Sequence, residues 1–310
     1  MSRQPNLFIL GAPKCGTTSL VRWLDAHRDV YVPSVKEPHH YNIDEKQVYF
    51  PNRDDYLALF DGGESARYRV DASVWYLHSK VAVSRILGDC PDARFLVCLR
   101  NPVDMAFSLH SQYVHKSGRE PLTSFEQAWS LSEKRLEGRA VSGLASDPRY
   151  LSYKYSCRIG SQSKRLLDQV RGKRIRFVVL DDLIRSPTRT LSSILEFLEL
   201  PEEVPLGLPH ENPAVIRRSP TLHRAVRYLA RGTKRLGIGP VPKGVKELFY
   251  RINTVGKKPR MAPETRRMAT EYFLDEIRLV WEVTGSWHYE WIECLQEDEA
   301  ACRDRTEKTG

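Results

Sequence analysis

A chain of 310 residues has room for one large α/β domain or two small ones, and it can bury a substantial core without disulfides or a structural metal. Hydrophobic residues make up 41% of the sequence, which argues against a disordered chain, and the longest apolar runs are too short to span a membrane. The formal net charge of +9 indicates an anionic partner, and a nucleotide, a nucleic acid or an acidic glycan would each satisfy it.

The cysteines indicate a reducing environment. They stand at positions 15, 90, 98, 157, 294 and 302 without a CxxC pair or a cluster with histidine, so their spacing predicts neither a zinc site nor a disulfide framework. No apolar region with a cleavage site precedes Leu7, as a signal peptide would require. We therefore expect reduced thiols, no transmembrane segment and a cytoplasmic location.

Short apolar runs alternate with helical patterns along the first two thirds of the chain. In chain order, the predicted strands are residues 7–10, 31–32, 67–72, 93–100 and 175–180. The predicted helices are residues 17–27, 56–60, 79–87, 102–115, 153–170, 191–200 and 263–283. This alternation predicts a three-layer α/β fold with a central, mainly parallel sheet and helices on both of its faces.

Two segments fall outside this alternation. Residues 117–149 are polar and predict a helical excursion near a substrate mouth, whereas residues 201–263 are rich in Pro, Gly, Lys and Arg and predict surface loops and short helices. We find neither internal repeats nor a clear linker. The prediction is one domain over residues 1–310, with a core at about 5–292 and a disordered tail at about 296–310.

The first predicted strand leads into GAPKCGTTSL, a glycine-rich turn followed by the start of a helix. Such a turn presents backbone N–H groups without intrahelical partners, and the helix dipole adds positive potential, so it is a ready anion site. Gly11 and Gly16 allow the tight path, Thr17 and Thr18 offer hydroxyls, and Lys14 adds a full charge. The alternative is an ordinary strand-to-helix connection with a surface lysine.

The position of the lysine separates this loop from the nucleoside-triphosphate loop GxxxxGK(S/T), in which lysine directly follows the second glycine. Here Thr17 occupies that position, and Lys14 precedes Gly16 by two residues. A lysine in mid-loop reaches an oxygen near the tip of a shorter group, and no Ser/Thr–Mg²⁺ arrangement is required. We therefore predict an anion site that needs no metal.

A second anion anchor is predicted in LRNPVDMAFSLHSQY. Arg100 ends the best candidate for a central strand, at the carboxyl edge where open α/β sheets bind ligands. Ser108 lies two helical turns along the next predicted helix, and Gln112 lies one turn further. A fork-shaped cation with a hydroxyl suits a second phosphate. Taken alone, these residues are better explained by a structural ion pair of Arg100 and a packing role of Ser108.

The loop KEPHHYN, residues 36–42, places a carboxylate beside two histidines in a segment too irregular to be core. It follows a predicted strand, so it should emerge at the same edge as the first loop. Glu37 there has the placement that a general base needs, close to cationic groups and to an acceptor proton. The alternative is a solvated carboxylate paired with Lys36. His39 and His40 have no further Cys/His spacing to support a zinc site.

Together these three segments resemble the sulfotransferases that depend on 3′-phosphoadenosine 5′-phosphosulfate (PAPS), in particular the branch of the heparan sulfate N- and 3-O-sulfotransferases and their bacterial homologues. GAPKCGTTSL resembles the 5′-phosphosulfate loop of that family, LRNPVDMAFSLHSQY its 3′-phosphate motif, and KEPHHYN the loop with its catalytic glutamate. The likeness runs from Leu7 to about Trp291. It implies a P-loop-like fold and sulfuryl transfer from PAPS, with adenosine 3′,5′-bisphosphate as the product.

The resemblance also implies roles for the matching residues. Lys14 and Glu37 would be catalytic with His39 in support, and His40 and Gln112 would face the acceptor. The residues implied in donor binding are Pro13, Lys14, Cys15, Gly16, Thr17, Thr18, Ser19, Arg100, Ser108, Lys257 and Lys258.

Departures from the 3-O enzymes leave the acceptor open. Those enzymes carry an arginine where Thr18 stands, a lysine near Ala72 and an aspartate where Asn42 stands, so the acceptor need not be heparan-like. We expect a glycan or another small molecule with a hydroxyl or amine group, and no nucleic acid. Two alternatives stay open: a P-loop kinase or hydrolase, which the order of lysine and glycine disfavours, and a non-catalytic anion- or nucleic-acid-binding protein, suggested by the charge of +9.

Overall fold

The computed structural model describes residues 4–141, 144–145, 147–171, 173–202, 216–217, 219–222, 226, 254–255 and 260–295. The chain divides into two compact units. The first unit takes in residues 1–105, 158–211 and 269–310, and the second unit takes in residues 106–157 and 212–268. A single domain over the whole chain stays a prediction, and the tail at 296–310 lies outside the described residues.

A parallel sheet forms the centre of the first unit. Its strands are β1 (Leu7–Ile9), β2 (Val30–Tyr31), β3 (Tyr68–Asp71), β4 (Arg94–Leu99) and β5 (Ile175–Val179). They form a five-stranded sheet in the order β2-β3-β1-β4-β5, and every pairing is parallel. In the register, Phe8 of β1 lies between Asp71 of β3 and Phe95 of β4. The predicted α/β sheet is therefore confirmed.

Helices follow the strands as the alternating pattern predicts. Their bounds are α1 (Thr17–Asp25), α2 (Arg53–Ala58), α3 (Ala82–Asp89), α4 (Pro102–Gln112), α5 (Phe125–Ser130), α6 (Ser132–Leu136), α7 (Tyr153–Ser156), α8 (Ile159–Gln169), α9 (Leu180–Arg185), α10 (Pro187–Leu198) and α11 (Pro263–Thr284). None of these described helices is long and apolar enough to cross a membrane.

The core lies where the helices flank the sheet. All three residues of β1 are fully buried, as expected of a central parallel strand whose two faces are both covered. Helix α1 buries Leu20, Val21 and Leu24, which are the apolar positions that the sequence assigns to its inner face. The strand order puts β3 and β4 on opposite sides of β1, so the chain reverses its direction of travel across the sheet at the carboxyl end of β1. Open α/β sheets bind ligands at such switch points.

Most element bounds shift by a few residues, and three regions differ from the prediction in how the helices are continued or divided. The helix predicted to reach residue 115 ends at Gln112 and continues as a π-helical turn, Tyr113–Ser117, which Gly118 ends at φ 66°. The helix predicted over 153–170 is divided into α7 and α8. After β5 the chain forms α9 at once, because the acidic residues of its first turn favour a helix amino terminus, and Pro187 then begins α10.

The second unit contains α5, α6 and α7 together with an antiparallel pair, β6 (Ile216–Arg217) and β7 (Thr254–Val255). The predicted helical excursion at 117–149 thus contains α5 and α6. The centre of this unit holds an ion pair between Arg135 and Glu120, both fully buried, with a nitrogen–oxygen distance of 2.8 Å.

Candidate active site

The loop after β1 has a backbone conformation that requires glycine. Its backbone is left-handed at Gly11 (φ 129°), Lys14 (φ 69°) and Gly16 (φ 84°). A Cβ atom on Gly11 would lie 2.2 Å from the carbonyl oxygen of Val74, so a larger residue does not fit there. The Ala12 amide donates to the Cys98 carbonyl at 2.7 Å, which holds the start of the loop on β4.

Helix α1 begins directly after this loop with its amino terminus open. Gly16 is the residue before the helix, its first turn holds no acidic residue, and no side chain caps it. The amide groups of Thr17, Thr18 and Ser19 are therefore the unsatisfied donors expected at a helix start, where an anion is stabilised by those donors and by the helix dipole.

Arg100 lies one residue beyond β4 and reaches this loop. Its Nη1 donates to the carbonyl oxygen of Lys14 at 3.4 Å, and this is the only hydrogen bond that it makes within the described part of the chain. Burial raises the pKa of the Cys15 thiol to about 12, although the charges of Arg100 and Lys14 oppose that effect. The charges of both cations therefore reach the Cys15 position of the loop; the separate roles predicted for them, at the 5′-phosphosulfate and the 3′-phosphate, stay predictions.

An acidic residue faces this cationic point. Burial raises the pKa of Asp181, while the charges of His288 and Arg100 oppose the shift. The alternative of a structural ion pair for Arg100 is not observed, because Arg100 forms no salt bridge with any described carboxylate; only its charge acts on Asp181. The sequence patterns did not identify Asp181 or His288. The acidic pair directly after the fifth predicted strand was a signal for Asp181, but no pattern in the sequence pointed to His288.

The loop that carries Glu37, residues 33–50, is held at the same edge by the end of β3. The His39 amide donates to the Ser73 hydroxyl at 3.0 Å, and that hydroxyl donates to Asp71 Oδ1 at 2.6 Å. The hydroxyls of Tyr56 and Tyr76 donate to Asp71 Oδ2 at 2.7 and 2.9 Å. Asp71 is the last residue of β3 and fully buried, so the sheet itself fixes the position of His39. No local sequence pattern marks Asp71 for this role.

Glu37 and His39 face each other through a strained turn. Both have left-handed backbones, with φ of 58° and 50°. His39 Nε2 lies 3.6 Å from Glu37 Oε2, which is too long for a direct hydrogen bond and leaves an electrostatic attraction. The His39 ring is fully buried, and neither of its nitrogens has a hydrogen-bond partner among the described residues.

Lys36 joins this dyad to the first loop. Its Nζ donates to the Thr18 hydroxyl at 2.5 Å and lies 3.6 Å from Glu37 Oε1. Burial by itself would raise the pKa of Glu37, but His39 and Lys36 together outweigh it and lower that pKa. Glu37 is thus an ionised carboxylate at neutral pH. The alternative to a base role was a simple pairing of Glu37 with Lys36. That pairing is present, and so is the contact of Glu37 with His39.

The remaining predicted residues fall into three groups. His40 stacks on Tyr56 with ring centroids 4.1 Å apart and is buried, and its acceptor-facing role stays a prediction. Ser108 and Gln112 lie half-buried on α4 within the second unit, and their roles likewise stay predictions. Lys257 and Lys258 lie outside the described residues. No group of three His, Cys, Asp or Glu side chains in the described ranges is arranged to hold a metal ion.

Residues 4–211 match the family model described as the Sulfotransferase domain. Bifunctional heparan sulfate N-deacetylase/N-sulfotransferase 1 of Caenorhabditis elegans is 26% identical over 243 residues, which cover 75% of this chain and 26% of the relative. Heparan sulfate glucosamine 3-O-sulfotransferase 6 of Mus musculus is 30% identical over 115 residues, covering 37% of this chain and 32% of the relative. The chain thus spans only a minor part of either relative.

Among solved structures, the crystal structure of a sulfotransferase from Alicyclobacillus acidocaldarius is 25% identical to this chain, with a TM-score of 0.68. The alignment covers 93% of this chain and 98% of that one. The similarity therefore extends over nearly the whole length of both proteins.

Proposed function

Because the chain belongs to the sulfotransferase family, we propose that it transfers a sulfuryl group from PAPS to a hydroxyl or amine group of an acceptor. One observation carries the proposal: at a single edge of the sheet, an anion-binding loop with Lys14 and Arg100 lies beside an ionised Glu37, and the Lys36–Thr18 hydrogen bond joins the two.

The donor end of the site fits a phosphosulfate. The open amides at the start of α1 would hold the 5′-phosphate, since they supply donors and positive potential without an acidic neighbour in the first turn. Pro13 and Cys15 would line the loop beside that phosphate, as the family resemblance implies. Arg100 would bind the 3′-phosphate through its planar fork, together with Ser108. Lys257 and Lys258 would cover the nucleotide, as the family resemblance implies.

In the chemical step, Lys14 and Glu37 have separate roles. PAPS supplies the sulfuryl group, whose bond to the 5′-phosphate oxygen breaks as a bond to the acceptor oxygen or nitrogen forms in line. Lys14 stabilises the negative charge that develops on the leaving phosphate oxygen. Glu37 accepts the proton of the acceptor, and His39 orients the carboxylate or shares that role. By analogy with loose phosphoryl transfer, positioning and charge stabilisation dominate, and the scheme requires no metal.

The acceptor is proposed to be a glycan or another hydroxyl or amine compound. Heparan sulfate is named in the relatives above, and for this chain it is one candidate among several. A cytoplasmic location is supported by the thiols: none of the five described cysteines forms a disulfide. The kinase alternative is disfavoured by Thr17 at the position of the P-loop lysine.

The first test of the proposal is donor binding. Calorimetry on the folded chain should detect binding of adenosine 3′,5′-bisphosphate. Arg100→Ala should weaken it by roughly tenfold or more, because a charged hydrogen bond is lost, while leaving adenosine 5′-phosphate binding nearly unchanged. Arg171→Ala, an exposed arginine, is the matched control.

Equal losses for both nucleotides would make Arg100 a structural residue. Failure of the wild-type chain to bind the bisphosphate would refute the proposed function. Incubation with labelled PAPS and a panel of sugars, lipids and phenols, with mass detection of an added SO₃ unit, would then identify the acceptor.

A further inference from the structure

The loop that carries Glu37 exposes apolar side chains to solvent. Val35, Ile43 and Tyr49 are 36%, 54% and 53% exposed, although most large apolar residues in the described chain are buried. All three lie within residues 33–50. Scattered exposed apolar residues need no explanation, but three of them on the loop that carries the ionised Glu37 suit a surface that binds an apolar group.

Tyr49 has the most direct relation to the reacting groups. Its ring centroid lies 5.5 Å from that of His39, in an edge-to-face arrangement with an interplanar angle of 76°. His39 Nε2 is in turn 3.6 Å from Glu37 Oε2. A hydroxyl that donates to Glu37 sits about 2.7 Å from the carboxylate, so the carbon skeleton behind that hydroxyl has to occupy the space next to this dyad. Because Tyr49 packs against His39 and is 53% exposed, its ring offers an apolar surface to such a skeleton.

The charge of the same loop disfavours a polyanionic acceptor. Residues 33–50 contain two lysines, Lys36 and Lys46, and three acids, Glu37, Asp44 and Glu45, of which Glu45 is buried against His78, so the loop has no net positive charge in a chain of +9. The Lys36 ammonium is already engaged by Thr18 and Glu37. The excess positive charge of the protein therefore lies elsewhere than on the loop that carries the base.

We propose that the acceptor is a neutral amphiphile, a hydroxyl compound with an apolar face or tail, and that Tyr49 determines specificity by packing its ring against that apolar part. This inference rests on the proposed function, because it assumes that Glu37 accepts the proton of the acceptor. Tyr49 contacts the acceptor but takes no part in the chemical step.

The experiment compares three probes on the chain saturated with adenosine 3′,5′-bisphosphate: n-octyl β-D-glucoside below its micelle concentration, D-glucose, and an N-sulfated heparosan hexasaccharide. Ligand-observed NMR measures the affinity of each. Octyl glucoside should bind at least about tenfold more tightly than glucose, since its alkyl chain is removed from water, and more tightly than the sulfated hexasaccharide.

The variants assign that preference to one side chain. Tyr49→Ala should weaken octyl glucoside binding by about five- to tenfold through the loss of aromatic contact area, whereas Tyr49→Phe keeps the ring and should stay within about twofold of wild type. Tyr289→Ala is the matched control, because Tyr289 is also exposed but packs against Trp281 and Trp287 rather than His39. It should leave all three affinities unchanged.

The outcomes separate this proposal from the one on which it rests. Bisphosphate binding is measured first for every variant, and its absence in the wild type overturns the proposed function and this inference together. If the bisphosphate binds but the hexasaccharide binds best, or octyl glucoside gains nothing over glucose, the neutral amphiphile is refuted. If Tyr49→Ala binds octyl glucoside as wild type does, the role of Tyr49 is refuted.

Discussion

At the scale of single residues, the site depends on how Glu37 is kept ionised while half-buried. Burial disfavours a carboxylate, and His39 and Lys36 supply the opposing charge and lower its pKa. A lowered pKa makes Glu37 a weaker base but keeps it unprotonated over a wide range of pH. The arrangement suits a reaction in which the acceptor proton leaves as the new bond forms.

Replacing this carboxylate by its amide tests the base role. Glu37→Gln keeps the shape of the side chain but cannot accept a proton, so kcat should fall by about 10²–10⁴. The measurement is the initial rate with labelled PAPS and the acceptor that the panel identifies. Glu196→Gln, an exposed glutamate on α10, is the control and should retain wild-type turnover. Wild-type kcat in Glu37→Gln would contradict the assignment.

The same residue predicts a dependence of stability on pH. Because the folded pKa of Glu37 lies below its ordinary value of 4.5, its ionisation contributes stability that is fully present above that value and is lost as pH falls through the folded pKa. Urea titrations of wild type and Glu37→Gln should therefore give unfolding free energies whose difference is constant down to about pH 4.5 and shrinks in more acidic solution. A difference that instead grew on acidification would mean that the pKa is raised.

At the scale of elements, close contacts between backbone atoms fix the shape of the first loop more than its side chains do. The Gly11 backbone lies too close to the Val74 carbonyl for a side chain, and the hydrogen bond from Ala12 to Cys98 holds the loop against β4. The result is a loop that is rigid where it leaves the sheet and that directs the open end of α1 at the ligand.

Two glycine-to-alanine substitutions test how much the close contact of Gly11 with the Val74 carbonyl matters. Gly11→Ala should lower the unfolding free energy by more than the roughly 1–2 kcal/mol typical of a left-handed alanine, and should abolish bisphosphate binding, because its Cβ meets the Val74 carbonyl. Gly138→Ala is the matched control: its φ is also positive, at 76°, but no atom lies near its Cβ. Urea unfolding and calorimetry measure both. Equal effects of the two substitutions would show that close approach is unimportant.

At the scale of the whole molecule, each compact unit has its own stabilising centre. In the first it is the parallel sheet, and in the second it is the buried pair of Arg135 and Glu120. Glu120 also accepts from the Tyr153 hydroxyl at 2.8 Å, and the Arg135 guanidinium donates to the carbonyls of Ala128 and Leu151. A buried ion pair with this many hydrogen bonds tolerates the loss of either partner poorly, because the other charge is left unpaired.

Removal of one partner should therefore be costly in the second unit. Arg135→Met should lower the free energy of unfolding by about 3–5 kcal/mol, since it leaves the Glu120 carboxylate buried without its cation. Arg139→Met removes an exposed arginine that pairs with Glu137, and it should change stability little. Chemical denaturation of both variants provides the comparison. Similar losses in the two would show that burial adds nothing to the pair.

Local patterns in the sequence determined the alternation of strands and helices, the glycine-rich loop with its early lysine, Arg100 at a strand end and Glu37 in the loop after the second predicted strand. They did so because hydrophobic period, turn residues and helix starts are set by neighbours along the chain. Only the tertiary structure decided that Arg100 meets the Lys14 carbonyl, that Lys36 meets Thr18, and that Asp71 anchors His39. These contacts join residues far apart in sequence, and they exist because the strand order β2-β3-β1-β4 brings the ends of these four strands to one edge of the sheet.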